Sequence, residues 1–483
     1  MRKRAGLLMT GLVVAGVLAA CAPRFAEGAT LTATPLGPLA TLTWGAAAPD
    51  SGKTITNYRV DVDGVQVALV PGSSTSCVLT GLAASSSYEL RVTAYDTDNA
   101  WSGSYSGNME ARGRVQTTYV TTPAVGGGTT KGCVSPTDSD GDRLPDAVET
   151  NNGVYISAAS TGTNPSLADS DGDGLRDGDE TLGTIAGLDL PTIGTKPVRK
   201  DLLFEFDWFD DSRDCGAHSH RPSSGAINRM TSAFAAAPVT NPDGSTGVNV
   251  ISDYGQGGIF TSGGLVADAD GVLSQDVSGA EYHALKVANF AADREGYFHY
   301  TLMPHNYNGS STSSGQAEIF GDDLIVSLQC YGTDVNVANT IMHEVGHNLG
   351  LRHGGDVNTP NYKPNYNSIM NYRYQWPGVD TDCDVAGNGV LAYSTGSRNT
   401  LNELSLLEAA GVCNGVAIDW NANSTIDQAP IARDINNGDG LYSVLGDFND
   451  WDAMNFGAIN DGDGAPVGKR ELITEQPVPL SAQ

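Results

Sequence analysis

Residues 343–353 read His343-Glu344-Val345-Gly346-His347-Asn348-Leu349-Gly350-Leu351-Arg352-His353. On a helix, His343 and His347 lie one turn apart on the same face, so two imidazole nitrogens can bind one metal ion. Glu344 is offset by about 100° around the helix axis, off the metal and close to the water that a general base would deprotonate. Gly350 can adopt the left-handed conformation that ends a helix, and the chain reversal would bring His353 to the same ion. Three protein ligands with a fourth position open to water are typical of catalytic zinc.

The longer pattern HExxHxxGxxH fixes five positions, which argues against incidental histidines on an ordinary helix. It resembles the zinc-binding sequence of the metzincin metalloproteases. A second hallmark of that family follows in Asn367-Ser368-Ile369-Met370-Asn371-Tyr372. By this resemblance, Met370 lies in a turn beneath the zinc, and Tyr372 matches the tyrosine that astacin-like and serralysin-like members place near the metal. The resemblance implies an α+β catalytic domain with a mixed sheet, one catalytic zinc ion and an extended polypeptide substrate.

The N-terminal end has the features of a bacterial export signal. Residues 2–4 are basic and residues 7–20 form an apolar run, which is too short to span a bilayer as a helix. We therefore expect residues 1–20 to be a signal peptide. Cys21 ends a Leu-Ala-Ala-Cys sequence that resembles a lipobox, so lipidation of Cys21 would anchor a short segment, residues 21–29, in the cell envelope. A plain signal peptide, with secretion of the protein, is the alternative.

Length and charge limit the classes of partner. The chain has 483 residues and a formal net charge of −29. The length predicts two to four domains. The negative charge argues against nucleic acid as a partner, and the clustering of the acidic residues points to bound cations. We expect no organic cofactor and no membrane attachment other than the acyl chain.

The chain has seven cysteines. If Cys21 is acylated, an even number remains, which favours disulfides in an exported chain. We expect Cys383 to pair with Cys413 and Cys215 with Cys330, all in the catalytic part. The absence of a CxxC spacing argues against a second zinc site.

Residues 30–122 alternate short β-rich runs with turns rich in Gly, Pro, Ser and Asp. This pattern predicts an all-β sandwich. The placing of Trp44, Tyr58, Leu82 and Tyr88 resembles a fibronectin type III module, in which such residues belong to the core. We interpret this domain as a spacer or adhesion module.

A predicted linker, residues 123–198, contains an acidic sequence that occurs twice. The first copy carries Asp138, Asp140, Asp142, Asp146 and Glu149, and the second carries Asp169, Asp171, Asp173, Asp177 and Glu180. Oxygen ligands at loop positions 1, 3, 5, 9 and 12 are those that calcium prefers, and the pattern resembles thrombospondin type 3 repeats and EF-hand-like loops. Position 6, a glycine in EF-hands, is Gly174 in the second copy but Arg143 in the first. We expect two or more structural calcium ions; a disordered acidic linker is the alternative.

Residues 199–483 are expected to form the metzincin-like catalytic domain. The sequence predicts strands at 200–207, 297–303 and 323–328, a helix at 226–237 and the zinc-binding helix at 335–349. Thr333 and Asp334 can cap the zinc-binding helix. The family resemblance implies that the strand at 323–328 binds the substrate by strand addition if it lies at the sheet edge.

Two further groups of polar residues occur in this domain. The histidines outside the motif are expected to be ordinary surface or core residues, and they are His218, His220, His283, His299 and His305. Of these, His218 and His220 lie nearest Cys215. A further candidate calcium set consists of Asp419, Asn421, Asn423 and Asp427, although turn chemistry explains such a run equally well.

The combined prediction is an exported zinc endopeptidase with Glu344 as general base and Tyr372 as a donor to the oxyanion. The alternative is a calcium-stabilised surface adhesion protein with a vestigial or structural zinc site, a role that has no use for Glu344. A third hypothesis is a latent enzyme, although no cysteine switch or obvious propeptide precedes residue 199.

Overall fold

The computed structural model describes residues 23–97, 115–122, 130–267, 270–309, 312–459 and 471–475. The chain forms two compact units, Met1–Thr137 and Asp138–Gln483. The predicted signal peptide and Cys21 lie outside the described residues. Among the described residues, no helix is both long and apolar enough to cross a bilayer.

The first unit is an all-β sandwich. Its strands are β1 (Arg24–Phe25), β2 (Leu31–Leu36), β3 (Leu39–Trp44), β4 (Ala47–Ala48), β5 (Ile55–Val62), β6 (Val65–Pro71), β7 (Ser76–Thr80), β8 (Ser87–Asp96), β9 (Val115–Thr121) and β10 (Gly132–Val134). One antiparallel sheet has the order β10-β7-β3-β2 and the other has the order β6-β5-β8-β9. Alternate residues of each sheet enter one shared core, in which Trp44 meets Tyr58 edge to face at 5.4 Å. Period-two alternation thus places the aromatic residues in the core, as predicted.

The second unit begins with the acidic repeats and continues into a mixed sheet. Its elements are α1 (Asp177–Leu182), α2 (Leu190–Ile193), β11 (Asp201–Trp208), β12 (Asp210–Asp211), β13 (His218–Ser219), α3 (Ser224–Ala235), β14 (Asn249–Asp253), α4 (Ala280–Asn289), β15 (Phe298–Met303), β16 (Gly315–Glu318), β17 (Asp323–Val326), α5 (Asp334–Asn348), β18 (Leu401–Asn402), β19 (Val444–Leu445), α6 (Asp450–Ala453), a 3-10 helix (Phe456–Ile459) and β20 (Leu472–Thr474).

The sheet of the second unit has the order β14-β11-β15-β17-β16-β20. Strands β14, β11, β15 and β17 are parallel, and β16 and β20 are antiparallel to their neighbours. Helices α3 and α5 share one hydrophobic core with Phe204 and Phe206 of β11, and α4 shares the other with Leu203. Because both faces are covered, every residue of β11 is buried, as is usual for parallel strands.

The condition on which one prediction about the sheet depended, an edge position for the strand at 323–328, is not met. The strand predicted at 323–328 is observed as Asp323–Val326, and it lies inside the sheet between β15 and β16. The strand that flanks it on the side away from β15 is β16, and β20 covers the outer edge of β16. The helices predicted at 226–237 and 335–349 are observed within two residues of those bounds.

Both predicted disulfides of the second unit form. Cys215 is bonded to Cys330 and Cys383 to Cys413. In the first unit, Cys77 is bonded to Cys133, which links β7 to β10.

Candidate metal centres

Helix α5 has defined signals at both ends. The Thr333 hydroxyl accepts a hydrogen bond from the Asn336 amide at 3.2 Å, which satisfies one of the free amides of the first turn. Gly350 has a φ of +100°. Its amide donates to the His347 carbonyl, and the Leu351 amide donates to the Gly346 carbonyl, both at 2.8 Å. These two bonds form a Schellman motif, and they turn the chain back toward the helix as predicted.

The turn brings the three histidines of the motif together. The ring of His353 lies 5.4 Å from that of His343 and 4.9 Å from that of His347. His343 Nδ1 donates to the Ile369 carbonyl at 2.8 Å, and His347 Nδ1 donates to the Leu351 carbonyl at 2.7 Å. A carbonyl can only accept, so in the neutral rings the lone pairs are on the Nε2 atoms, which face a common centre. Hydrogen bonds of this kind orient metal-binding histidines in proteins.

The carboxylate of Glu475 lies at that common centre. Its oxygens are 2.9 Å from His343 Nε2, 3.1 Å from His347 Nε2 and 2.9 Å from His353 Nε2. Burial lowers the pKa of His347 to about 4, so its ring is neutral near pH 7. Lone pairs and carboxylate oxygens that face each other in a buried site repel unless a cation lies between them. The donor set therefore fits a zinc ion.

Glu475 was not predicted from the sequence. It follows the short strand β20, and nothing local distinguishes it from other acidic residues of the tail. Its side chain takes the position that the sequence analysis expected to be open to water. That expectation is corrected by the structure: the fourth group at the centre is a protein carboxylate.

Glu344 lies beside this centre. It is completely buried, and neither carboxylate oxygen has a hydrogen-bond partner among the described residues. Burial and, second, the charge of Glu475 raise the pKa of Glu344 well above its usual value. A Cβ atom on Gly315 of β16 would lie 2.1 Å from Glu344 Oε1. Only glycine at 315 therefore leaves room for this carboxyl group.

The predicted methionine turn lies under α5. A Cβ atom on Gly346 would lie 2.3 Å from Met370 Sδ, so the helix and the turn are in close contact. Two residues on, the ring of Tyr372 lies 4.2 Å from that of His353 and 5.9 Å from that of His343. Burial and the charge of Glu475 raise the pKa of Tyr372, and a hydrogen bond to Glu475 contributes. Tyr372 thus borders the metal centre.

The two acidic repeats form loops of the same shape. In the first, both Asp138 oxygens accept backbone amides, those of Gly141 and Arg143. In the second, Asp169 accepts from Gly172 and Gly174 in the same way. Arg143 has a φ of +86° and Gly174 a φ of +93°. The arginine therefore adopts the conformation that position 6 requires, in spite of its Cβ atom, and its side chain pairs with Asp179.

The structure groups the predicted carboxylates into candidate cation sites. The groups are Asp138 with Asp140 and Asp142, Asp169 with Asp171 and Asp173, and Asp142 with Glu149 and Asp177. The last group joins the two loops. Oxygens of Asp140, Asp142, Glu149, Asp171 and Glu180 are buried without a hydrogen-bond partner among the described residues. Uncompensated buried carboxylates are costly, so this donor set fits calcium.

Burial also raises the pKa of these acids. The pKa of Asp142 rises to about 7, that of Glu149 to about 8 and that of Asp177 to about 7. Asp146 of the first loop instead accepts from the amide and hydroxyl of Ser139. Asp201 of β11 was not predicted. Its amide donates to Asp173 at 2.6 Å, so the second loop extends onto the sheet.

The further candidate calcium set, residues 419–427, is brought together, but its members form hydrogen bonds with one another. Asp419 accepts from the amides of Asn423 and Ser424. The side-chain amides of Asn421 and Asn423 donate to Asp427. These contacts satisfy the groups by turn chemistry, the alternative that the sequence left open.

The histidines outside the motif divide into two groups. His283 is exposed and His299 is buried beside Asn348. His218, His220 and His305 gather around Asp211.

Comparisons with known proteins cover parts of the chain. Residues 31–107 match the Fibronectin type III domain. Metallopeptidase AprA of Pseudomonas marginalis is 27% identical over 142 residues, which is 26% of this chain and 28% of that protein. The Clostridium perfringens spore cortex lytic enzyme SleM is 18% identical over 21% of this chain and 28% of its own, with a TM-score of 0.15, a value too low to indicate a shared fold. The chain therefore carries a fibronectin type III domain and a distant likeness to a hydrolase.

Proposed function

We propose that this protein is a zinc-dependent endopeptidase that hydrolyses exported or extracellular polypeptides. The observation that carries the proposal is the convergence of the Nε2 atoms of His343, His347 and His353 while backbone carbonyls fix two of the three rings. The similarity to a metallopeptidase supports it.

Each group near the centre has a defined part in the proposed reaction. Zinc held by the three histidines would supply Lewis acidity toward the scissile carbonyl and acidify water. Glu344 accepts a proton from the attacking water and delivers it to the leaving amine, so that one water molecule is consumed and an acid and an amine are formed. The raised pKa of Glu344 suits this transfer, because a carboxylate that holds a proton more tightly is a better acceptor of the proton from water. The Tyr372 hydroxyl donates to the developing oxyanion.

The substrate would bind as an extended strand along β16. Strand β20 already pairs antiparallel with that edge, with Gln316 opposite Thr474 and Glu318 opposite Leu472. This pairing supports strand addition as the binding mode, because any polypeptide can make the same backbone hydrogen bonds. Under this proposal the edge role would belong to β16.

The remaining parts of the proposal concern stability and location. Two or more calcium ions would occupy the acidic loops and keep them folded. The signal peptide and Cys21 would export the chain and anchor it in the cell envelope, or the chain would be secreted. The fibronectin type III domain would serve as a spacer or adhesion module.

A second candidate function is favoured by one observation. Glu475 completes a set of four protein ligands, and closed sets of four are typical of structural zinc. The chain would then be a surface adhesion protein, and Glu344 would have no role.

The test uses the mature chain in calcium with Glu475→Ala, which opens the fourth position, and the same chain with Glu344→Gln added. We expect both to retain zinc, the first to digest casein and a peptide library, and the second to lose digestion by at least about 10³-fold. A chelator should abolish the activity of the first chain. Equal digestion by the two chains would rule out Glu344 as the base, and no digestion by either would favour the adhesion protein.

A further inference from the structure

A second group of metal-binding side chains lies near the other end of α5. Asp211 is in β12, His218 is in β13, His220 follows it, and His305 follows β15. Strands β11 and β15 are parallel neighbours, so the segments after them leave the sheet at the same edge. His220 Nε2 is 2.7 Å and His305 Nδ1 is 3.1 Å from one oxygen of Asp211. His218 Nδ1 is 3.6 Å from the other oxygen.

These side chains are withdrawn from solvent. The side chains of His305 and Asp211 are 0% and 1% exposed, that of His220 is 7% exposed and that of His218 is 23% exposed. His305 Nε2 has no hydrogen-bond partner among the described residues, and the nearest carboxylate, Asp214, is 3.6 Å away. A buried imidazole nitrogen left unpaired is costly unless something else binds it.

Hydrogen bonding alone does not account for the group. His218 Nδ1 already contacts the Gly216 carbonyl at 2.8 Å, so its bond to Asp211 is not made. Each pair of rings lies between 4.6 and 5.5 Å apart, which packs three imidazoles around one carboxylate. His218 and His220 also line a cavity of about 380 Å³, which gives an ion a route of entry.

The geometry points to a second, structural metal site made of Asp211, His218, His220 and His305. Three imidazoles and one carboxylate form a closed tetrahedral set for zinc or a similar divalent transition metal. The ion would fix the segment 210–220 to the end of β15. Through the Cys215–Cys330 disulfide it would also hold the chain that leads into α5. This proposal departs from the expectation of a single zinc ion.

Zinc content of the purified mature chain in excess calcium tests this site. We expect about two zinc ions per wild-type chain, one per site. His343→Ala with His347→Ala should retain one, and His220→Asn with His305→Gln should retain the other. His283→Ala, an exposed histidine on α4, is the matched control and should retain both.

The reciprocal variants keep the test decisive. If the His220 and His305 variant does not fold, the chain lacking His343 and His347 still reports on the second site. Retention of one zinc there, with a tetrahedral cobalt(II) spectrum that Asp211→Asn removes, supports the proposal. A single zinc in wild type that disappears with His343 and His347 overturns it.

A different observation carries a second inference, about residues 471–475, here named the C-terminal strap. The strap extends the sheet at β16 through a chain of backbone contacts. The Ile319 amide donates to the Glu471 carbonyl at 2.9 Å, and the Glu475 amide donates to the Gly315 carbonyl at 3.2 Å. Glu471 also pairs with Arg352, one residue before His353, at 2.6 Å.

The strap therefore lies where a substrate strand would lie, and its last residue reaches the metal centre. Glu475 is 4% exposed and contacts all three motif histidines. With zinc bound, its carboxylate would be the fourth ligand and would exclude the water that hydrolysis requires.

We infer that the strap holds the enzyme in a latent state and that activation requires its displacement. This inference rests on the proposed function. The segment responsible for latency would then follow the proposed catalytic residues in the chain, whereas the sequence-based hypothesis of latency concerned only the residues before 199.

Two readouts test the strap, and only one depends on peptidase activity. With Glu475→Ala, we expect a peptidyl hydroxamate to bind the zinc at least about tenfold more tightly, because the competing ligand is gone. The cobalt(II) spectrum should change, and peptide hydrolysis should rise by a similar factor. Glu471→Gln removes a carboxylate from the same strap without touching the metal, and it should change both quantities less than about fivefold.

The outcomes separate the two proposals. Tighter hydroxamate binding without hydrolysis would retain Glu475 as a displaceable ligand and reject the peptidase. Loss of zinc in Glu475→Ala, with no gain in hydroxamate affinity or hydrolysis, would show that Glu475 is a structural ligand and would overturn latency. Unchanged affinity, spectrum and hydrolysis would overturn it as well.

Discussion

At the scale of single residues, the position of Glu344 depends on residue 315 being a glycine, which has no side chain. A Cβ atom on Gly315 would lie 2.1 Å from Glu344 Oε1 and 2.8 Å from the Ile325 carbonyl. We therefore expect Gly315→Ala, made in the Glu475→Ala chain, to displace Glu344, the proposed base, and to lower peptide hydrolysis by about 10²-fold, because a shift of about 1 Å is sufficient for such a loss. Zinc content should not change.

Gly332→Ala is the matched control, since a Cβ atom there meets nothing within 4 Å. Steady-state kinetics and zinc analysis of both variants check the prediction. Full activity in Gly315→Ala would mean that Glu344 is not held by this contact.

Asp450 links stability to pH at the same scale. It is fully buried and accepts hydrogen bonds from Tyr366 at 2.7 Å and from Ser368 at 2.5 Å. Burial raises the pKa of Asp450 from 3.8 to about 7. Between these values the folded chain retains a proton that the unfolded chain has released, so stability falls as the pH rises from 4 to 7.

We expect Asp450→Asn to reduce the loss of unfolding free energy between pH 4 and pH 7 by up to ~4 kcal/mol, because the asparagine does not titrate. Its stability at pH 5 should be lower than that of wild type, because an amide replaces a carboxyl group that accepts three donors. Urea unfolding at pH 5 and pH 8 in saturating calcium measures the slope. Asp452→Asn, an exposed acid in the same helix, should leave the slope as it is; an unchanged slope in Asp450→Asn would contradict the argument.

At the scale of elements, the end of α5 determines whether His353 lies beside His343 and His347 at the proposed zinc site. Gly350 has a φ of +100°, and a Cβ atom there would lie 2.1 Å from the ring of Phe320. Gly350→Ala should therefore cost at least ~1 kcal/mol in backbone strain alone, and it should move His353. We expect at least tenfold weaker zinc binding, roughly 1.4 kcal/mol, measured by competition with a chelator.

Gly389→Ala is the control that distinguishes backbone strain from a steric clash, because Gly389 has a φ of +78° but open space around it. It should lower stability slightly and leave zinc affinity unchanged. Equal zinc affinity in Gly350→Ala and wild type would show that the turn adapts without moving His353.

The elements that the sequence predicted well are those with local signals. Thr333 and Gly350 mark the ends of α5, and the repeat of Asp169 after Asp138 predicts two loops of one shape. Glu475, Asp201 and the pairing of β16 with β20 were missed because each depends on contact between segments distant in sequence. Spacing along the chain carries no information about which strand flanks another.

At the scale of the whole molecule, the two compact units should respond differently to calcium. The acidic loops belong to the second unit, and Asp173, Asp177 and Glu180 are almost completely buried there. In the proposed calcium-bound state these carboxylates would be ligands, whereas without calcium their mutual repulsion and the cost of burial would destabilise that unit. The core cluster of the first unit is apolar.

We therefore expect calorimetry of the mature chain to show two transitions, of which only one depends on calcium. Two sites at a calcium concentration about 100 times their dissociation constants contribute ~5 kcal/mol, and removing that calcium lowers the midpoint of a unit of this size by roughly 7 °C. Asp173→Asn should reduce this calcium dependence, whereas Asp63→Asn in the first unit should not. If the transition of the second unit did not depend on calcium, the proposed calcium loops would be contradicted. If the transition of the first unit did depend on calcium, the two units would not unfold independently, because an ion bound to one unit can stabilise the other only when their unfolding is coupled.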